Sequence, residues 1–394
     1  LAFHHPDLAP AADLAAEWAA TAGLDAELVH RLTTDSVVAP VDWVAQVESV
    51  LDAGALWLLD VGPSDLAAKL SAAEARPRGV SIVSTTTRRG HRELTTPGAM
   101  PRRSRTWSAY APKAVSLPDG TTRVETRFTR LTGRSPVLLA GMTPTTVDPA
   151  IVAAAANAGF WAELAGGGQV TEAIFAENVA RLDSLLDPGR TYSFNSLFLD
   201  PYLWGLQLGR KKLVQKARAA GSAVDSVIVT AGVPELDDAV ALVEELREVG
   251  IEHVVLKPGT VRQVKDVLKI AAAVAPYEVI VQIEGGKAGG HHSWEDLDEL
   301  LVTTYAELRA HENVVVCVGG GIGTPDVAAK YLTGDWSRAL GQPVMPLDGV
   351  LVGTAAMATL EATTSPAVKQ LLVDTPGTED WIGAGHATGG MASA

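Results

Sequence analysis

A single cysteine stands among 394 residues, which excludes an internal disulfide and suits a reducing, cytoplasmic setting. That residue, Cys317, lies in the run Val314-Val315-Val316-Cys317-Val318, where a buried strand thiol is expected rather than a nucleophile. Positive charge is scarce as well. Lys and Arg number 32 against 46 Asp and Glu, a formal net charge of −14, which argues against a nucleic-acid binder, since that would need a basic face. No apolar run approaches the roughly 18 to 20 residues that span a bilayer. The opening LAFHHPDLAP has neither the basic region nor the apolar core of a signal peptide. The chain starts at Leu1 and ends on Gly389-Gly390-Met391-Ala392-Ser393-Ala394 without a closing element, as expected of a piece of a longer polypeptide or of processed ends.

What is abundant is apolar side chain. Hydrophobic residues make up 47% and charged residues 20%, a globular balance with enough material for a large core. From about residue 137 the pattern is regular, short β-branched runs alternating with longer amphipathic ones. Strands are predicted at Val137–Ala140, Trp161–Leu164, Tyr192–Asn195, Ser226–Thr230, His253–Leu256, Val279–Ile283, Val314–Val318 and Gly349–Val352. Helices fill the gaps, such as Glu235–Glu248 and Val261–Val274, which open after Pro234 and Pro258-Gly259. Eight strand–helix units in about 220 residues predict an α/β fold of the (β/α)8 TIM-type barrel class. A doubly wound open sheet is the alternative, but no GxGxxG turn follows the first strand.

Residues 1–130 read differently, as an N-terminal α/β and linker segment. Helices are predicted at Pro10–Ala22 and Pro40–Ala53, and strands at Leu56–Val61 and Val80–Ser84. Thr86 to Arg105 reads as a polar loop with solvated arginines. The barrel is expected over 131–370 and a C-terminal extension over 371–394.

A barrel makes a sharp demand: its functional residues lie just after the C-terminal ends of the strands. Glycine clusters and polar residues fall there repeatedly. Gly141-Met142-Thr143 follows the first strand and Ala165-Gly166-Gly167-Gly168-Gln169 the second; Asn195 closes the third and Lys257 the fifth. The sixth leads into Glu284–His292, EGGKAGGHH, a glycine platform ending in two histidines, ahead of a helix expected to open at Ser293-Trp294-Glu295. The seventh gives Gly319-Gly320-Gly321-Ile322-Gly323-Thr324, the eighth Gly353-Thr354. The last two turns suit a phosphate held on backbone N–H groups, with Thr324 and Thr354 as hydroxyl donors; ligand-free tight turns are the bland reading. Asn195, Lys257 and Gln282 sit where side chains converge on a ligand, although Lys257 could equally be an ion-pair partner of Glu284. Of His291 and His292, one can serve as a general acid, because imidazole titrates near neutrality. Gly289 and Gly290 precede them on the platform. No third ligand lies at a recognisable spacing, so no metal is expected. His4, His5, His91, His253, His311 and His386 have no such context.

With these residues in place, the chain resembles the enoyl reductase domain of type I fatty acid synthases, of the fungal β-subunit and actinobacterial single-chain kind. The segments that carry the resemblance are LTGRSPVLLAGMTPTTV (131–147), FWAELAGGGQ (160–169), VPELDDA, LKPG (256–259), GGKAGGHHSWED (285–296), the GGGIG turn, YLTGDWS (331–337) and MPLDGVLVGTAAM (345–357), in that order. VVAPVDWVAQV (37–47) and LWLLDVGPSD (56–65) look like the region between the acyltransferase and reductase domains. More distantly, the AGGH segment is similar to one in bacterial flavin-dependent enoyl reductases and nitronate monooxygenases.

The resemblance implies an FMN-dependent, NAD(P)H-using reduction of a trans-2-enoyl thioester on acyl carrier protein, alongside other synthase domains in a homo-oligomeric assembly. Gly141, Met142 and Thr143 would back the flavin, with Asn195 and Lys257 at its ring. Gly319, Gly320, Gly321, Gly353 and Thr354 would hold its phosphate, and His291 would be the catalytic group. Glu284 stands where a less charged residue is expected. Two rivals are an oxygen-using flavoenzyme of the nitronate monooxygenase type and a non-catalytic barrel kept for assembly.

Overall fold

The structure, a computed structural model, describes residues 4–100, 104–289 and 293–375. The chain divides into two compact units, residues 1–103 and 104–394. The second unit takes in residues 104–130 ahead of the barrel strands. The boundary expected after residue 370 falls inside a helix, Pro366–Asp374. Among the described residues no helix is long and apolar enough to cross a membrane.

The first unit contains helices Ala9–Thr21, Ala26–Thr33 and Trp43–Asp52, then strand β1, Trp57–Asp60, paired in parallel with β2, Ser81–Ser84. Asp25 and Asp42 cap two of these helices by accepting from Leu28 N and Ala45 N, each at 3.0 Å. The core is small: Val47, Leu51, Ala75 and Val80. One expectation fails here. Residues 88–95 of the supposed loop form a helix, because the Thr87 hydroxyl caps Gly90 N at 3.0 Å and Glu93 pairs with Arg89 one turn back. Gly90 is required there, since a Cβ would stand inside the contact radius of Ser84 O.

The second unit opens with an antiparallel hairpin, β3 Lys113–Ser116 and β4 Thr122–Glu125, and a short helix, Arg127–Thr132. Eight parallel strands follow: β5 Val137–Leu139, β6 Trp161–Ala165, β7 Tyr192–Leu197, β8 Val224–Thr230, β9 His253–Leu256, β10 Val279–Glu284, β11 Val314–Gly319 and β12 Gly349–Val352. They close in the order β10-β11-β12-β5-β6-β7-β8-β9, so the predicted barrel is observed. Several helices start as sequence chemistry demands. Pro149, Pro201, Pro325 and Pro366 sit in first turns behind the caps Asp148, Asp200, Thr324 and Ser365. The helix expected to open at Ser293 instead runs Leu297–Ala310, capped by Asp296. Ser293 Oγ accepts from Glu295 N at 2.9 Å and holds a turn before it.

Alternate residues of each strand face inward. At the base and middle the inward set is mostly apolar: Leu138, Trp161, Ile228, Val255, Ile280, Val315, Cys317 and Leu351 stand alongside buried Ser193, Ser226 and His253, with Phe128 of the preceding helix closing the bottom edge-on to Trp161 at 5.4 Å. Cys317 is fully buried and its thiol is pushed up by that burial, as expected of a structural cysteine. The base also carries buried charge. Arg309 pairs with Asp348 at 2.7 Å, their side chains 1% and 0% exposed, and lies over the Tyr110 ring at 4.0 Å. Arg134 pairs with Asp225 near His253.

Two stability predictions follow from the base. Arg309→Met leaves the Asp348 carboxylate buried without its cation and should cost about 3–5 kcal/mol in chemical unfolding. Arg309→Met with Asp348→Asn should cost less, because Asn can still accept from Val316 N, which now bonds Asp348 at 2.8 Å. The second concerns His253, whose pKa lies below its ordinary 6.5, chiefly because burial disfavours the cation, against the pull of Asp225. The unfolded chain thus takes up that proton first. The stability carried by neutral His253 is present above pH 6.5 and is lost as the pH falls through its lower folded value. His253→Gln should flatten the acid limb of a stability-against-pH curve below 6.5, and an unchanged limb would refute the assignment.

Candidate active site

The top inward layer of the barrel differs from those below: it is polar. Its centre is Glu163 of β6, fully buried. Glu163 Oε2 accepts from Asn195 Nδ2 at 2.7 Å and from Gly141 N at 2.8 Å. Oε1 accepts from Gln282 Nε2 at 2.8 Å and from Trp161 Nε1 at 3.2 Å. One carboxylate therefore gathers groups from β6, β7, β10 and the loop after β5. A buried carboxylate needs such bonds, because an unpaired charge in a packed interior is costly. The sequence reading passed over Glu163. It looks like a polar interruption of an apolar strand, and the signal available was its even spacing from Trp161 and Ala165, which puts it inside.

Lys257, at the end of β9, sits beside this layer with Nζ 3.2 Å from Glu284 Oε2. Both alternatives weighed for Lys257 thus meet: it lies at the barrel mouth, and it is the ion-pair partner of Glu284. Burial works against its ammonium, but Glu284 and then Glu163 more than offset this and hold its pKa above the ordinary lysine value. Gln282 is fully buried, and its Oε1 has no partner among the described residues.

The glycines separate into two kinds. A Cβ on Gly141 would stand 2.7 Å from Asn195 Nδ2, and one on Gly166 would stand 2.5 Å from Asn195 O. These residues are glycine because the loops after β5 and β6 pack directly on β7. The expectation that Gly141 clears space for a flat ligand is corrected to that extent: its missing side chain makes room for Asn195. Met142 N bonds Thr146 Oγ1 at 2.6 Å, so this N–H is committed within its own loop, and Thr143 lies exposed beyond it.

In the turn after β11 the backbone itself demands glycine, and a Cβ on Gly320 would also lie 3.2 Å from Ala288 N. Gly320 and Gly321 have φ of +111° and +73°, values that disfavour any other residue. Gly319 is buried at the end of β11, whereas Gly321, Gly289 and Thr354 are exposed. A Cβ on Gly289 would lie 3.2 Å from Thr354 Oγ1, and one on Gly353 would lie 3.7 Å from Met142 Sδ, so the loops after β5, β10 and β12 converge. Among the described residues no hydrogen bond engages the N–H groups of Gly320, Gly321 or Thr354. Such a donor set fits a phosphate. Thr324, by contrast, caps the next helix by accepting from Val327 N at 3.4 Å.

Gly290, His291 and His292 lie outside the described residues. Asp225, Glu252 and His253 could together ligate a metal, but Asp225 already holds Arg134 and Ser226 at the barrel base. A groove of about 790 Å³ lies elsewhere, between helices Leu236–Glu248 and Val261–Ala273, lined by Val233, Leu236, Arg262, Gln263 and Ile270. It contains none of the candidate site residues, although Val233–Leu236 belong to the VPELDDA segment and Glu295 to GGKAGGHHSWED.

Gly141→Ala tests the packing reading. The added methyl must displace Asn195 from Glu163 and should lower stability by about 1–3 kcal/mol, read by urea unfolding. Unchanged stability would show that the loop yields freely.

A family model described as fatty acid synthase subunit beta/Fas1-like, helical, matches residues 278–394. The fatty acid synthase beta subunit aflB of Emericella nidulans is 38% identical over 381 residues, 93% of this chain and 17% of that protein. The fatty acid synthase subunit beta of Saccharomyces cerevisiae is 36% identical over 273 residues, 69% of this chain and 13% of its own length. The chain thus spans less than a fifth of the relatives it matches. A solved enoyl reductase domain of MlnA, from the macrolactin cluster of Bacillus amyloliquefaciens, has 15% identity and a TM-score of 0.48 over 63% of this chain and 60% of that one. That likeness adds nothing to the closed strand order, which establishes the barrel by itself. Over 93% of its length the chain is similar to one segment of a fatty acid synthase beta subunit, and its residues 278–394 match the family model.

Proposed function

We propose that this barrel is an FMN-dependent trans-2-enoyl-acyl-carrier-protein reductase, the enoyl reduction step of a multifunctional type I fatty acid synthase using NAD(P)H. The observation that carries the reading is the convergence at one barrel mouth of uncommitted N–H groups on Gly320, Gly321 and Thr354 with the polar layer of Asn195, Lys257 and Gln282. The chain that builds this mouth is 38% identical to a fatty acid synthase beta subunit over 93% of its length. Under this reading the protein works in the cytoplasm beside other synthase domains, in an assembly of several copies.

When bound, FMN supplies the hydride relay between a nicotinamide and the enoyl β-carbon. The chain's own residues do the rest. The turns Gly319–Gly321 and Gly353-Thr354 hold the single phosphate through backbone N–H groups. Asn195 and Lys257 stand at the ring. Glu284 neutralises Lys257, so the lysine offers a paired ammonium and not a free cation. His291, or His292 beside it, supplies the proton that balances hydride addition, at the carbon next to the thioester carbonyl.

Three measurements test this. Mass spectrometry of cofactor released from the purified chain should find FMN, and recovered FAD or no flavin would refute the single-phosphate reading. His291→Ala should leave FMN bound and its reduction by NAD(P)H nearly intact. It should slow oxidation by a crotonyl or longer enoyl thioester about 10²- to 10⁴-fold, the range for a lost general acid, with a smaller loss for His292→Ala. Equal slowing of both half-reactions in stopped flow would move His291 to the nicotinamide or flavin site. Oxygen uptake with a nitroalkane and no enoyl turnover would replace the proposal with a monooxygenase.

A further inference from the structure

We infer that Glu163 is the positioning residue of this site: it holds Asn195 and the loop after β5 where the cofactor needs them, and acts through them without touching the ligand. The inference rests on the flavin reading above. Its basis is geometric. Glu163 is fully buried, and its two oxygens already accept four N–H bonds at 2.7–3.2 Å, from Asn195, Gly141, Gln282 and Trp161. No direction is left for a fifth partner. Asn195 carries two donor hydrogens and one acceptor oxygen on its amide. With one hydrogen bound by Glu163, the rotamer is set and the remaining polar atoms are aimed. Without the carboxylate, the Asn195 amide is free to turn and Gly141 N loses its acceptor. Both changes occur beneath the ring site.

Gln282 gives this arrangement a particular signature. Its Oε1 is buried without a partner, while its Nε2 donates to Glu163. In Glu163→Gln the new amide oxygen can keep both Asn195 and Gly141. The new amide nitrogen then faces Gln282, which need only turn its amide over to accept from it with the oxygen now idle. Trp161 Nε1 alone loses its acceptor. Glu163→Ala permits none of this.

The test is titration of the purified, flavin-stripped full chain with free FMN, following quenching of flavin fluorescence, with the visible spectrum of the bound flavin and the unfolding midpoint recorded for each variant. Glu163→Ala should weaken FMN binding about 10- to 100-fold, as loss of an outer partner does at a metal site, and change the bound spectrum. Glu163→Gln should stay within about threefold of the wild type, the loss of one neutral hydrogen bond. In a Gln282→Met background, Glu163→Gln should have a lowered midpoint, because its amide nitrogen is left unpaired, yet should still bind FMN more tightly than Glu163→Ala, because Asn195 and Gly141 keep their acceptor. Asn195→Ala and Glu163→Ala together should cost little more than either alone. Additive losses would overturn the inference, and so would a Glu163→Ala protein with a lowered midpoint but unaltered FMN affinity and spectrum, which would make Glu163 only a brace of the core. Failure of the wild-type chain to bind FMN would instead strike the flavin reading itself, and this inference with it.

Discussion

A carboxylate sealed inside a packed barrel must be met by hydrogen-bond donors from every side, and Glu163 imposes that demand on its surroundings. Asn195 comes from β7, Gln282 from β10 across the barrel, Trp161 from two residues earlier on β6, and Gly141 N from the loop after β5. Each of these positions is then fixed to within a hydrogen-bond length. The polar floor of the mouth is a consequence of one charge needing four partners. Lys257 answers the same field from the end of β9, and Glu284 completes its neutralisation.

The barrel interior thus changes character along its axis. Phe128, Trp161, Ile228 and Val315 fill the base and middle layers, and the ion pair Arg309–Asp348 ties the base together. Residues 104–133 belong to this lower part. Phe128 inserts from below, and the Thr126 hydroxyl donates to Asp348 O at 2.6 Å. Buried ion pairs and aromatic contacts cluster where the chain enters the barrel, and the polar groups of the mouth stand at the opposite end, with mostly apolar layers between them. This separation lets the mouth carry buried polar groups, including the idle Gln282 Oε1, that would be costly in a smaller core.

Glycine at the strand ends has two physical meanings here, and only coordinates tell them apart. Gly141 and Gly166 are small because another loop or strand fills the space that a Cβ would take. Gly320 and Gly321 are glycine because their backbone has positive φ, and their N–H groups have no partner among the described residues. The first kind supports the floor; the second can bind an anion directly.

The sequence by itself determined the architecture. Short β-branched runs, longer amphipathic runs between them, and Pro at helix entries are local signals, and they placed all eight barrel strands within two residues of their observed ends. It also identified which strand ends carry glycine and polar residues, because a barrel puts every such end on one face. Short-range chemistry misled where a cap was overlooked, at Thr87 and Asp296. What only the tertiary structure decided is which of those residues meet. Glu163 and Gln282 are 119 positions apart, as are no two groups that a local pattern can join, yet their side chains are bonded at 2.8 Å. Closure of the barrel brings β6 and β10 face to face, and that closure turns a lone acid in an apolar strand into the centre of the site.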